Sequence, residues 1–203
     1  MLGILNQLAV SFDLPILEWI QANLQSGFLD TIMPIITMFG DAGIFWMGWA
    51  AVLVIFPKTR RIGLGMAFAM RMGLVVCNMI LKPVVGRIRP YDFQINELGK
   101  TWEDILLAGK LLVDTPHDYS FPSGHTIASF EACTVLMLGD KRMGIPALIL
   151  AVLIAFSRLY LYVHYPTDVI TSVFLGILFG ILGYAIAKAL PLPEPKGGKY
   201  LAS

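Results

Sequence analysis

Residues 141–190 read KRMGIPALILAVLIAFSRLYLYVHYPTDVITSVFLGILFGILGYAIAKAL, and this stretch decides the fold. It holds two long apolar runs, 144–163 and 169–190, separated by a short turn carrying His164, Pro166 and Asp168. About 20 mostly apolar residues suffice for a helix to cross the hydrocarbon core of a bilayer, and both runs meet that length. The turn between them is polar and ionisable. Charges are costly at membrane depth, so Arg158, His164 and Asp168 need a reason to sit at the ends of such helices.

Outward from there, residues 62–81 form another clear span, and 126–138 a further one that starts at a Ser-Gly-His turn. Residues 28–39 and 44–56 are each short and meet at Gly40-Asp41-Ala42-Gly43. They read as two helices joined by that turn, the first extended backward toward Ile20, with one long kinked span as the competing reading. Composition agrees with a membrane protein: 57% of residues are hydrophobic, 14% are charged, and the mean hydropathy is +0.72. Soluble domains are nearer 25% charged. A net charge of +1 gives no reason to expect nucleic-acid binding. Cys77 and Cys133 lie in apolar runs, fit no metal-ligand spacing and read as buried thiols. The fold expected is an all-α integral membrane bundle of six helices, preceded by an amphipathic helix at the membrane interface.

Three regions follow. Residues 1–26 are the interfacial segment. Within it PILEWIQANL, Pro15 to Leu24, has the pattern of an amphipathic helix with Trp19 among its apolar residues. A soluble extension folding back on the bundle is the other reading. No Lys or Arg precedes the apolar stretch at the N-terminus and Asp13 interrupts it, so it does not read as a signal peptide. Residues 27–190 are the transmembrane body, and 191–203, PLPEPKGGKYLAS, a loose tail.

The distribution of Lys and Arg orients the chain in a cell membrane. PKTRR at 57–61, GDKR at 139–142, and a tail with Lys188, Lys196 and Lys199 all fall on one side of a six-span topology, which makes that side cytoplasmic. The loop 82–122 and the turn at His164 then face the extracytoplasmic side.

Three separated clusters come to that one face: Lys82-Pro-Val-Val-Gly-Arg87-Ile-Arg89-Pro90, Phe121-Pro-Ser123-Gly124-His125, and Ser157-Arg158 through His164 to Asp168. Lys82, Arg89 and Arg158 supply enough positive charge to neutralise a phosphate dianion and the charge that develops as it is transferred. Arginine adds a planar fork that matches phosphate oxygens. Ser123-Gly124-His125 follows a proline and opens a helix, so its backbone N–H groups can point at an anion. Two histidines suffice for a nucleophile and a general acid. Asp168, four residues after His164, can hold one imidazole nitrogen and leave the other free. No His/Cys/Asp/Glu set has a metal-ligand spacing, so the cations stand in for a metal and no cofactor is expected. Each cluster alone has a plainer reading. Lys82, Arg87 and Arg89 could be interfacial anchors, Pro-Ser-Gly a helix start, and His164 a core histidine. All three plain readings would have to hold at once on one shared face.

The three clusters resemble the signature of the type-2 phosphatidic acid phosphatase superfamily: Lys-x6-Arg-Pro, Pro-Ser-Gly-His, and Ser-Arg-x5-His-x3-Asp, each with its spacing intact here. The resemblance covers roughly residues 28–190. It implies a six-helix membrane bundle in which His164 attacks phosphorus to form a phosphohistidine. Asp168 would orient His164, and His125 would protonate the leaving oxygen. Lys82, Arg89, Ser123, Gly124 and Arg158 would hold the phosphoryl oxygens, and water would then release phosphate.

The membrane setting implies that the phosphate is carried by a lipid. Undecaprenyl diphosphate is the preferred candidate because of the short chain and the outward-facing site, with phosphatidylglycerol phosphate and phosphatidic acid as alternatives. A non-catalytic lipid-phosphate binder or transporter is a rival of another class, as is a vanadium-dependent haloperoxidase, although those enzymes are soluble and larger. Tyr160, Tyr162 and Tyr165 read as an interfacial aromatic belt, with lining of the approach to the site as the alternative. Arg71 and Glu131 fall inside spans without a role in the motifs, and their depth suggests a structural contact between them.

Overall fold

In the computed structural model, residues 2–107 and 111–193 are described. Residues 194–203, most of the expected loose tail, lie outside them. The described residues are helical and contain no strand.

The N-terminal segment is one nearly continuous helix: α1 (Leu2–Leu8), a π-helical turn (Ala9–Asp13) and α2 (Leu14–Leu24). It buries Ala9, Asp13, Leu14, Leu17 and Ile20 against the bundle and leaves Trp19 and Phe12 exposed. It is followed by α3 (Gly27–Met38), with Ser26 as N-cap. The turn at Gly40–Gly43 breaks the helix: Ala42 and Gly43 both take positive φ, 48° and 67°. Two helices therefore occupy this region. After α4 (Ile44–Ile55) the chain reverses into α5 (Arg60–Gly73), which continues as a π-helical stretch (Leu74–Leu81) into α6 (Lys82–Val85). Pro83 accounts for the widening. It has no N–H to donate, and its ring crowds the turn before it. Two short helices, α7 (Pro90–Asn96) and α8 (Trp102–Leu107), fold over the same end. Then come α9 (Gly124–Gly139), α10 (Lys141–Tyr160) and α11 (Pro166–Ala189).

Among the described residues, four helical stretches are by length and composition apolar enough to cross a membrane: 27–55, 60–96, 141–160 and 166–189. Their outer faces carry exposed Ile, Leu and Phe side chains such as Ile149, Val152, Phe174 and Ile181. That surface suits lipid and would be unfavourable in water. The Tyr160 hydroxyl donates to Asp30 near the start of α3 (2.5 Å), and Arg158 donates to Thr37 near its end (2.5 Å), so both ends of α3 are tied to the last turns of α10.

The frame is α5, α9 and α11. A Cβ on Gly183 would stand 2.5 Å from the Gly65 carbonyl oxygen, and one on Gly180 2.6 Å from Cβ of Thr134. Helices meet here through their backbones, the close approach that small residues permit in membranes. Met66, Ala69, Ala132 and Val135 complete this core. At the end away from the His164 turn, Arg61 caps α11 by donating to the carbonyls of Ala187 (3.2 Å), Lys188 (2.9 Å) and Leu190 (2.9 Å). Cys77 and Cys133 are buried and free.

Candidate active site

Three connections bring the polar residues together: the end of the α5–α6 helix, the start of α9, and the α10–α11 turn. Their side chains surround a cavity of about 720 Å³ whose wall includes Lys82, Arg89, Gly124, His125, Arg158 and His164. The cavity runs from this polar end along α4, α5 and α9, past Met47, Phe68 and Leu74, to Arg71 and Glu131.

His164 is 2% exposed, with Nε2 toward the cations, 3.3 Å from Nη1 of Arg89. Burial, followed by the charges of Arg89, Arg158 and Lys82, pushes its pKa well below the ordinary 6.5. The ring is therefore neutral near pH 7, with a lone pair available. Its Nδ1 lies 3.6 Å from Oδ2 of Asp168 and has no hydrogen-bond partner. That separation is longer than a hydrogen bond. Arg89 is fixed by donating to the Val163 carbonyl (2.6 Å) and, through Nε, to the Asp118 carbonyl (2.9 Å). Arg158 is 3% exposed, and its Nε is unpartnered.

Five of the eight residues singled out in the sequence converge as side chains on the cavity, and Gly124 meets it as backbone. Ser123 does not line it. It is fully buried, its N–H donates to Ser172 Oγ (2.8 Å), and its hydroxyl accepts from Thr126 (3.0 Å). Asp168 sits behind His164, also fully buried.

Several residues at the site escaped the sequence reading. Arg87, which has no role in the motifs, is 2% exposed and joins two buried carboxylates: Nη1 donates to Asp168 (2.5 Å) and Nη2 to Asp13 (2.6 Å). Its guanidinium also stacks 3.7 Å over the Tyr165 ring. Ser120 donates to the other oxygen of Asp168, which also accepts from the Tyr165 N–H (3.1 Å). Asp13 also accepts from the N–H of Thr167 (2.9 Å), which holds the N-terminal helix on the α11 start. Asp118 pairs with both Lys82 and Arg89. Burial would raise its pKa, but the hydrogen bonds from Lys82 and Arg89 prevail and hold it at about 2. Asp41, in the turn before α4, meets Nε2 of His125 at 2.7 Å.

Two expectations are corrected. Tyr160, Tyr162 and Tyr165 are at most 1% exposed and form neither a belt nor a cavity wall. Their hydroxyls and rings are used internally, Tyr160 on Asp30, Tyr162 on Glu18 and Tyr165 under Arg87. Arg71 and Glu131 face the same cavity but form no ion pair, and Glu131 Oε1 has no hydrogen-bond partner. Among the described residues, no group of three or more His, Cys, Asp or Glu side chains could hold a metal ion.

Comparison with known proteins fits this arrangement. The model of the PAP2 superfamily matches residues 62–191. The undecaprenyl-diphosphatase of Sulfolobus acidocaldarius is 32% identical over 186 residues, 91% of this chain and 83% of that protein. Two solved structures share the fold at 24% identity. Aquifex aeolicus LpxE has a TM-score of 0.64, covering 86% of this chain and 96% of that one. A PAP2-type phosphatidylglycerolphosphate phosphatase from Bacillus subtilis has a TM-score of 0.65, covering 88% and 86%. With the motifs intact, the cations and histidines on one cavity, and the family model matched across the four helices that carry them, the chain belongs to the PAP2 superfamily.

Proposed function

We propose that this protein is a metal-independent membrane phosphatase that hydrolyses a lipid phosphate or diphosphate through a phosphohistidine, with undecaprenyl diphosphate or a similar polyprenyl diphosphate as substrate. The observation that carries the reading is a buried His164 with Nε2 3.3 Å from Arg89, on the same cavity as Lys82, Arg158 and His125.

In this mechanism the substrate phosphoryl group displaces Asp118 from Lys82 and Arg89. Its oxygens are then held by Lys82, Arg89 and Arg158, with the backbone at Gly124. These cations offset the charge that gathers on the oxygens in the transition state. His164 Nε2 attacks phosphorus, and the bond to the leaving oxygen breaks as His125 delivers a proton to it. As His164 gains positive charge, Asp168 closes the 3.6 Å gap to Nδ1 and stabilises it. Water then attacks the phosphohistidine, His125 takes its proton, and orthophosphate leaves. Ser123 shapes the turn that presents Gly124 and His125, and does not touch phosphate through its side chain.

The apolar length of the cavity supports a lipid leaving group, and the undecaprenyl-diphosphatase relative supports a polyprenyl one. The basic residues at 57–61 and 139–142 support an extracytoplasmic position in the cell membrane for the cavity's polar end. Residues 27–190 form the catalytic body, with 1–26 as an interfacial segment docked on it.

The test is phosphate release in EDTA, in detergent, from undecaprenyl diphosphate, phosphatidylglycerol phosphate and phosphatidic acid, beside His164→Ala. Fastest release from the polyprenyl diphosphate, absent in the variant, is the expected result. Activity that disappears with EDTA would sink the metal-independent mechanism. Binding without release from any of the three would make the protein a lipid-phosphate binder.

A further inference from the structure

We infer that Asp41 is a positioning residue for His125: its carboxylate, carried on the α3–α4 turn, holds Nε2 of the imidazole so that Nδ1 carries the proton passed to the leaving oxygen. The inference rests on the role proposed above for His125 and extends the site beyond the family's matched segment. That segment begins at residue 62, whereas Asp41 lies 21 positions earlier.

The geometry is specific. His125 Nε2 and Asp41 Oδ1 are 2.7 Å apart, and among the described residues Asp41 is the hydrogen-bond partner of the His125 ring. The turn is shaped to reach it. A Cβ on Gly40 would fall 2.7 Å from Cδ2 of His125, so only glycine lets the backbone lie against the ring. Ala42 and Gly43 then adopt left-handed backbone, which breaks the helix there, and Asp41 lies on the His125 side. The last turn of α3, which leads into this turn, is anchored as well, by Arg158 donating to Thr37. The turn is therefore held from both sides.

The chemistry requires such a partner. To act as an acid, His125 must carry two N–H groups beside Arg158, Arg89 and Lys82 on the same cavity wall. Burial and the charge of Arg158 push its pKa down to about 3 against the opposing Asp41 hydrogen bond, so the ring takes its second proton once a phosphate dianion offsets those cations. A carboxylate on Nε2 supports that cationic ring electrostatically and fixes the tautomer that remains after transfer. In the forward step the P–Nε2 bond to His164 forms and the P–O bond to the leaving group breaks. The proton on Nδ1 of His125 moves to that oxygen, while Nε2–H stays on Asp41. In the second step water attacks phosphorus, the P–Nε2 bond to His164 breaks, and the proton of the water returns to Nδ1. No proton passes to Asp41 itself.

A positioning role for the acid predicts dependence on the leaving group. An alkoxide must be protonated as it departs, whereas p-nitrophenolate departs unaided. The experiment measures kcat/KM, which stops at the first phosphoryl transfer, for dodecyl phosphate and p-nitrophenyl phosphate with wild type, D41N, D41E, H125Q and D41N/H125Q. For D41N the expected result is a loss on the order of 10-fold or more with dodecyl phosphate and within about 3-fold of wild type with p-nitrophenyl phosphate, because general acids contribute roughly 10²–10⁴. D41E should recover part of the loss, and the double variant should fall no lower than H125Q. Equal losses on both substrates for D41N, or losses that multiply with H125Q, would overturn the role of Asp41 while H125Q still discriminates between leaving groups. If H125Q fails to discriminate, the acid assignment of His125 is refuted, and that of Asp41 with it. Elution of each variant as a monodisperse detergent complex separates these outcomes from misfolding, and D41E, which keeps the charge, serves where D41N does not fold.

Discussion

Replacing Arg87 with lysine tests whether this side chain, outside the phosphate-binding set, is what keeps Asp168 ionised and in place. The guanidinium spans two carboxylates that are both fully buried, 2.5 Å to Asp168 and 2.6 Å to Asp13. A lysine ammonium is a single point on a flexible stem and reaches one of them. The other is left as an uncompensated buried charge, for which the loss of a partner costs about 3–5 kcal/mol. Some of this is relieved by protonating the stranded carboxylate or by water, so a loss of about 3 kcal/mol is the expectation. For a domain of this size that is a fall of roughly 6–12 °C in the unfolding midpoint. The assay is thermal unfolding in detergent with a parallel measurement of kcat. R87K should lose both stability and turnover, and R87K combined with D13N should regain stability, since the carboxylate left over is then neutral. If R87K unfolds at the wild-type temperature and keeps its kcat, the bridge does not carry the argument made for it. If D13N worsens R87K, the stranded-charge explanation is wrong.

Other substitutions and conditions give separate checks. Asp168→Asn should bind substrate normally and lose on the order of 10²-fold or more in kcat, by analogy with orienting carboxylates in hydrolytic triads; unchanged kcat would remove its role. Asp118→Asn should lower the concentration of inorganic phosphate that inhibits by half, because Lys82 and Arg89 lose their internal counter-ion, and inhibition constants read this directly. The pH dependence has a definite sign. Folded His164 takes up a proton well below its ordinary 6.5, whereas the unfolded chain binds one near 6.5. Stability is therefore present in full above about 6.5 and falls as the pH drops below it, and unfolding midpoints between pH 8 and 5 check this. Asp118, held near 2, adds its own loss only below the ordinary carboxylate value of 3.8. Gly183→Leu should abolish assembly of the frame, because a side chain there meets the Gly65 carbonyl, and yield in detergent would show it.

The long helices and the three motif clusters were legible because hydropathy and spacing are local properties. Arg158, His164 and Asp168 stood out as charges that apolar helices have no reason to tolerate. The partners of those residues were not legible. Arg87 lies two residues from Arg89 and reads the same way in sequence, yet one faces the cavity and the other turns back into the protein. Only the path of the chain around Gly86, at φ 60°, and the distant Asp13 decide that. Asp13 did carry a signal, as the one charge interrupting an apolar run, but its use was hidden 74 residues away. The partners of Ser123 were not legible either, since Ser172 and Thr126, which engage its N–H and its hydroxyl, lie outside the three clusters. The docking of α3 depends on two side-chain anchors from α10 that no periodicity encodes.

The glycine contacts between α5, α9 and α11 have a mechanical consequence. Where helices touch through main chain, there is no layer of side chains to change rotamer, so these three helices cannot part by small adjustments. A long lipid must nevertheless reach His164 from the bilayer. The breathing this demands falls on the opposite flank, where α3 holds on through side chains and a turn of left-handed residues. Methyl relaxation at Ile36 would therefore report millisecond exchange that is absent at Ala69 and Ala132, making one wall of the site a stator and the other a shutter.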